Sequence, residues 1–245
     1  MRKTSLCVAV GMAALGAPEI LAPFLAVAAD DPYAAARCRM VAEQLMAPGR
    51  DITNARVLAA LSKVPRHEFV PESLRSLAYQ DSPLPIGHGQ TISQPYVVAF
   101  MTEQLELKSS DRVLEVGTGS GYQAAVLAGL VAQVFTVEII DELAQRAAAD
   151  LKRLSFTNVQ VRAGDGYKGW PEVAPFDAVI VTCAPDHVPQ PLVDQLKDGG
   201  SMIIPVGSAT ASQELVLLRK KGGKLERRGV LPVRFVPMKG KALTK

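Results

Sequence analysis

The 245-residue sequence is poor in the residues from which metal centres and disulfide scaffolds are built. Its three cysteines, Cys7, Cys38 and Cys183, lie far apart with no C-x-x-C spacing, so neither a zinc site nor a disulfide framework is expected. They read as small buried hydrophobes. The three histidines, His67, His88 and His187, show no metal-ligand spacing and read as loop or capping residues, so no metal is expected. Charge is nearly balanced, 27 basic against 24 acidic residues for a net +3, and no run of Lys or Arg forms a stripe that could track phosphates. Nucleic acid is not an expected partner. No internal repeat or low-complexity tract appears after residue 30.

Apolar residues make up 48% of the chain, ample for a continuous core in one large α/β domain. The first 29 residues differ from the rest. Arg2 and Lys3 precede an apolar stretch from Leu6 to Ala17, and Ala26-Val27-Ala28-Ala29 then leads to Asp30-Asp31, the pattern of a secretory leader. Pro18, Glu19 and Pro23 interrupt the stretch and leave it too short to span a bilayer, so no stable membrane insertion is expected after leader removal. The expected organisation is a leader at 1–29 and a single domain at 30–245, with a helical part to residue 110 and an α/β core over 111–245. Cleavage would place the mature chain in the periplasm or outside the cell. The alternative is an uncleaved extension on a cytoplasmic protein.

In the helical part, Met40, Val41 and Leu45 recur at helical spacing, as do Val57, Leu58 and Leu61 behind a capping Asn54. The segment Asp81 to Gln90, rich in Pro and Gly, reads as a loop without regular elements. A further helix follows, with Ser93 at a capping position, Pro95 in the first turn, and Val97, Val98, Met101 and Leu105 on one face. Beyond Arg112 the pattern becomes strand and helix in alternation. Strands are expected at Val113 to Val116, Val134 to Glu138, Val159 to Arg162, Ala178 to Val181 and Met202 to Pro205. Helices at Tyr122 to Val131, Asp141 to Leu154 and Val188 to Leu196 separate them, and two last strands at Glu214 to Leu218 and Val233 to Val236 complete one edge. This alternation implies a mostly parallel, Rossmann-like sheet with helices on both faces and ligands beyond the carboxyl ends of the strands.

The strongest local signal is Val113-Leu114-Glu115-Val116-Gly117-Thr118-Gly119-Ser120-Gly121-Tyr122, a buried strand entering a glycine turn and then a helix. A dinucleotide fingerprint requires G-x-G-x-x-G, and Tyr122 stands where its third glycine belongs. The G-x-G-x-G spacing suits a ligand without a pyrophosphate, and Glu115 could face a cationic group on it. Glu138, 21 positions past Gly117, matches the offset of an acid that accepts hydrogen bonds from ribose hydroxyls. Asp165-Gly166 ends the third strand on the same rim, where an adenine edge could be met. Tyr167 and Trp170 follow and could wall that pocket, though core packing is their default role.

These features resemble class I S-adenosylmethionine methyltransferases. Further segments narrow the resemblance to the protein-L-isoaspartate O-methyltransferase family: Val64 to Pro71, Pro85-Ile86-Gly87-His88-Gly89-Gln90-Thr91-Ile92-Ser93-Gln94-Pro95, Asp177 to Pro185, Asp194 to Gly200 with Ile204 to Gly207, and Val233 to Met238. They run in family order from about residue 35 to 238. The resemblance implies S-adenosylmethionine as methyl donor and isoaspartyl proteins or peptides as substrate. It makes Ser93 the active-site residue and implies a monomer. It places cofactor contacts at Thr91 and Ile92, at Gly117 with Thr118 and Gly119, at Glu138 with Ile139, and at Asp165 with Gly166. Cys183 and Lys239 depart from family members that carry a small residue and a small hydroxyl residue there. By position alone Ser93 is a helix cap. Three competing readings share parts of this pattern: a methyltransferase for another acceptor, which would not require Thr91-Ile92-Ser93; a nicotinamide-dependent oxidoreductase, which Tyr122 opposes; and a non-catalytic relative. A leader that points outward also stands against a cofactor made inside cells.

Overall fold

The computed structural model describes residues 31–50, 52–208 and 212–240; the leader expected at 1–29 lies outside the described residues. The N-terminal part is helical, as its 3.6-residue apolar period requires. Helix α1 (Ala34–Arg39) runs into a π-helical turn at Met40–Leu45 that buries Met40, Val41 and Leu45. Asn54 starts α2 (Ala55–Lys63), its side chain accepting from the backbone N–H groups of Arg56 and Val57. Val57, Leu58 and Leu61 form the buried face.

The segment from Asp81 to Gln90 is not the featureless loop its prolines and glycines suggest. It holds β1 (Leu84–Gly87), paired antiparallel with β2 (Gln90–Ile92), Leu84 opposite Ile92 and Pro85 opposite Thr91. In a two-stranded ribbon Pro85 loses no ladder bond that the neighbouring residues need, and Gly87, His88 and Gly89 close the turn at φ of 93°, 54° and 70°. Helix α3 (Pro95–Gln104) follows, with Pro95 in its first turn. Its N-cap position is Gln94 and has no side-chain cap, so Ser93 stands one residue before the position predicted for it.

The chain then alternates through β3 (Arg112–Val116), α4 (Tyr122–Ala128), β4 (Gln133–Glu138), α5 (Asp141–Arg153), β5 (Val159–Ala163), β6 (Phe176–Val181), α6 (Gln190–Asp194) and β7 (Leu196–Val206). β8 (Gln213–Lys221) and β9 (Lys224–Val233) complete a seven-stranded sheet of order β5-β4-β3-β6-β7-β8-β9, parallel as far as β7 and antiparallel beyond. The expected last strand at Val233 to Val236 is therefore misplaced. The strand lies earlier, where Lys224, Glu226, Arg227 and Arg228 are exposed on the sheet edge, and such charges are what a solvent-facing edge strand carries. Residues after Val233 leave the sheet instead, and Pro237 pairs with Ala184.

Alternation along the strands divides the core in two. Val113, Val134, Ala178, Ile180, Ile203, Leu215 and Leu217 pack with residues of α2, α3, α4 and α5. Leu114, Val116, Val179, Val181, Met202, Ile204, Val216 and Leu218 pack on the other face with Leu192 and Val193 of α6, Tyr167 and Met238. From β3 the chain moves outward to β5, then returns to place β6 on the opposite side of β3. That reversal leaves a crevice at the carboxyl ends of β3 and β6, where a ligand can enter between departing loops.

Candidate active site

The turn after β3 is fixed from both sides. Gly117 and Thr118 donate their N–H groups to the carbonyl of Val137 at 2.8 and 3.3 Å. From β6, the Thr182 hydroxyl approaches the carbonyls of Gly117 and Val116 at 2.6 and 3.1 Å. Gly117 has φ +98°, and a Cβ on it would stand 2.5 Å from the Thr182 Oγ1, so both conformation and space demand glycine. At Gly121 a Cβ would press on Ala147 and Leu151 at 3.3 Å. Gly121 thus gives the close helix packing that a dinucleotide fold takes from its third glycine, and Tyr122 is free to be a buried aromatic.

Above this turn lies a cleft of about 770 Å³. Thr91, Ile92, Ser93, Glu115, Gly117, Thr118, Gly119, Glu138, Ile139 and Gly166 all line it, which brings together every site residue expected from sequence except Asp165. Asp165 sits two residues past the end of β5, and its carboxylate accepts from the Tyr167 N–H at 3.0 Å. It caps the short turn that presents Gly166, and a Cβ on Gly166 would lie 2.5 Å from Val116 Cγ1. Thr118 turns its hydroxyl inward to Thr136 at 2.6 Å.

Glu138 is 5% exposed and anchors the cleft. Its Oε2 accepts from the Gly119 N–H at 2.8 Å and its Oε1 from the Ile140 N–H at 3.0 Å, so each oxygen keeps a lone pair for a ligand hydroxyl. Glu115 is wholly buried, and neither carboxylate oxygen has a hydrogen-bond partner. Burial pushes its carboxyl up to about 8, opposed by the nearby Thr136 and assisted by the charge of Glu138. A buried acid without partners is a group awaiting a cation or donor.

The other residues singled out from sequence lie elsewhere. His67 is buried against the Tyr79 hydroxyl at 2.8 Å and stacked on Tyr33 at 4.1 Å, so it is a core residue rather than a loop or cap. His88 occupies the hairpin turn, and His187 pairs with Asp186 at 2.5 Å. Tyr167 and Trp170 pack in the core and do not line the cleft. Cys38 and Cys183 are in no disulfide among the described residues and are only half-buried, not fully buried as expected; Cys7 lies outside the described residues. Sequence reasoning missed Ser120, Gln123, Thr182 and the strap Val236-Pro237-Met238-Lys239, all of which line the cleft. Thr182 and Cys183 directly follow β6, so the carboxyl-end rule could have found them. The strap is held by a tertiary pairing: the Ala184 N–H donates to Val236 and the Met238 N–H to Ala184, each at 2.8 Å.

A second, open groove of about 1280 Å³ adjoins the cleft. Thr91, Ser93, Thr182 and Val236 belong to the walls of both. The Ser93 hydroxyl makes no hydrogen bond with any described residue. Among the described residues no cluster of three or more His, Cys, Asp or Glu is placed to hold a metal ion.

A reversing parallel sheet whose crevice offers a glycine turn, an acid at the end of the next strand and a buried carboxyl defines a Rossmann-like methyltransferase fold. The family model described as protein-L-isoaspartate(D-aspartate) O-methyltransferase matches residues 39–243, and the chain belongs to that family. It is 54% identical over 221 residues to protein-L-isoaspartate O-methyltransferase 2 of Syntrophobacter fumaroxidans, covering 87% of this chain and 90% of that one. With the protein-L-isoaspartate O-methyltransferase of Opitutus terrae it shares 57% identity over 201 residues, 82% of this chain and 85% of the relative. A solved protein-L-isoaspartate O-methyltransferase superposes with TM-score 0.71 at 33% identity, covering 77% of this chain but 62% of that longer one. A Plasmodium falciparum structure described as a protein of this kind in complex with S-adenosyl-L-homocysteine gives TM-score 0.69 at 28% identity, covering 78% and 93%.

Proposed function

We propose that the chain transfers the methyl group of S-adenosylmethionine to the free α-carboxylate of L-isoaspartyl residues in damaged proteins and peptides. The observation that carries the reading is the position of Ser93, whose hydroxyl bonds to no described residue, on the wall common to the glycine-lined cleft and the open groove. Isoaspartate arises when a backbone nitrogen attacks the preceding Asp or Asn side chain with loss of water or ammonia, and water then opens the resulting succinimide at its α-carbonyl, which routes the chain through the β-carboxyl and leaves the α-carboxylate free. With a pKa of roughly 3.5 that group is ionised at neutral pH and needs no general base.

The cleft residues fit the donor. Gly117 and Gly166 let the cradle pack closely on Thr182 and Val116, Glu138 would accept from ribose hydroxyls, and Glu115 would meet the amino group of the methionine moiety. Thr91, Ile92, Thr118, Gly119 and Ile139 complete the wall. Asp165 would act through the Gly166 turn that it caps. When bound, S-adenosylmethionine supplies an electrophilic methyl group on a sulfonium. Ser93 donates its O–H to the substrate carboxylate and helps hold one oxygen in line, one part of an alignment of oxygen, methyl carbon and sulfur whose total worth is up to about 7 to 11 kcal/mol. Val236 and Met238 exclude water from that side. Methylation turns the carboxylate into a methyl ester, from which the attacking backbone nitrogen displaces methanol to close the succinimide, the first step of repair.

The test is transfer of labelled methyl from S-adenosylmethionine to an isoaspartyl peptide beside its aspartyl twin. Base-labile label on the isoaspartyl peptide alone supports the reading. No label on either, with cofactor binding intact by calorimetry, overturns it.

The reading extends to the domain division and to the leader. We propose a single methyltransferase domain over 30–245, acting as a monomer, behind a cleavable leader at 1–29 that directs it out of the cytoplasm. Support for one domain comes from the core packed around α2 to α5, which takes side chains from both the N-terminal part and the sheet. Among the described residues no helix is long and apolar enough to cross a membrane. N-terminal sequencing of the mature chain checks the leader: a start near Asp30 supports export, and a start at Met1 overturns export by cleavage.

A further inference from the structure

The open groove beside Ser93 carries a charge pattern that the methyl-transfer reading does not use. Its walls are Arg50, Pro83, Gln94, Tyr96 and Val97 on one side and residues 231–236 on the other, with Thr91, Ser93 and Thr182 at its inner end. Two arginines and no acid are among these lining residues. Arg50 is already engaged, bonded to Asp81 at 2.9 Å and stacked over the Tyr96 ring at 4.3 Å. Asp81 is in turn held by the Gln94 side chain at 2.8 Å and the Tyr96 N–H at 3.0 Å. That charge is neutralised within the wall.

Arg234 differs. It is exposed, and its guanidinium makes no hydrogen bond or ion pair with any described residue. Yet the backbone that carries it is fixed. Gln213 clasps the next residue, accepting from the Phe235 N–H at 2.6 Å and donating to its carbonyl at 3.2 Å, and Val233 is paired to Gln213 in the sheet. A cation on a rigid mount, at the rim of a groove that ends at Ser93, favours an anionic group displaced along the peptide from the reacting carboxylate.

We propose that Arg234 forms a subsite for an acidic side chain flanking the isoaspartyl residue, so that the enzyme selects damaged sites in acidic surroundings. The subsite rests on the isoaspartyl reading of the groove. Isoaspartyl peptides carrying Glu, Gln or Lys two positions to either side of the isoaspartyl residue would be compared by kcat/KM. On at least one side Glu should exceed Gln by about threefold, the scale of an exposed ion pair, and the advantage should shrink as salt is raised. Arg234→Ala should bring the Glu-to-Gln ratio to one, Arg234→Lys should keep part of it, and Arg234→Glu should make Lys the preferred flank. Equal rates for Glu and Gln peptides on both sides, or a preference that survives Arg234→Ala, would overturn the subsite while leaving isoaspartyl methylation intact. Absence of label on every peptide would bring down the isoaspartyl reading, and the subsite with it.

Discussion

Ser93 and Glu115 are both polar groups left without hydrogen-bond partners among the described residues at the cleft, but for opposite electrostatic reasons. Ser93 is half-buried and neutral, so its hydroxyl can wait for a carboxylate at little cost. Ser93→Ala should lower kcat/KM for an isoaspartyl peptide by about 10- to 100-fold, the value of a hydrogen bond to a charged group, with little change in cofactor affinity by calorimetry. An equal loss of cofactor binding would make Ser93 a structural residue. Glu115 is buried where ionisation is disfavoured, and its carboxyl titrates near 8 instead of 4.5. Because the folded state holds this proton more tightly than the unfolded chain, the associated stability is fully present below pH 4.5 and is lost as pH rises towards 8. The melting temperature of the ligand-free protein should therefore show a decline over that window that Glu115→Gln removes. Ser93 was legible in the sequence through the Thr91-Ile92-Ser93 segment, although its predicted role as a helix cap was not: the cap position falls on Gln94.

Helix α2 and the β1–β2 ribbon show why elements differ in legibility. Asn54 and the apolar period behind it are local signals, and the observed cap bonds to Arg56 and Val57 at 3.0 and 3.3 Å match them. Asn54→Ala should reduce unfolding free energy by about 1 kcal/mol in urea titration without altering methyl transfer. The ribbon was hidden because Pro85, Gly87 and Gly89 are turn signals in isolation, yet pairing with Thr91 and Ile92 satisfies the backbone around them. β9 was hidden for a related reason: an edge strand with one solvated face reads as a charged loop. The strands β3, β4 and β6 were plain in sequence because burial on both faces forces continuous branched runs.

At the scale of the whole molecule, cofactor affinity and fold stability share one structure, since the glycine turn is tied to β4 through Val137 and to β6 through Thr182. S-adenosylhomocysteine at about 100 times its Kd should raise stability by about 2.7 kcal/mol, read as an upward shift in thermal unfolding. Gly117→Ala should abolish the shift, because its Cβ meets Thr182 at 2.5 Å. A shift that persists in that variant would place the ligand elsewhere. The sequence by itself determined the alternating α/β class, the glycine turn, Glu138 at its fixed offset and the Thr91-Ile92-Ser93 segment, because each depends on neighbours within one or two elements. Only the tertiary structure decided that Thr182 braces the turn, that Met238 and Lys239 return across the cleft, that Asp165 caps the turn presenting Gly166, and that Arg234 lines the same groove as Ser93. Those contacts join segments distant along the chain, and it is the order of strands in the sheet that sets which of them meet.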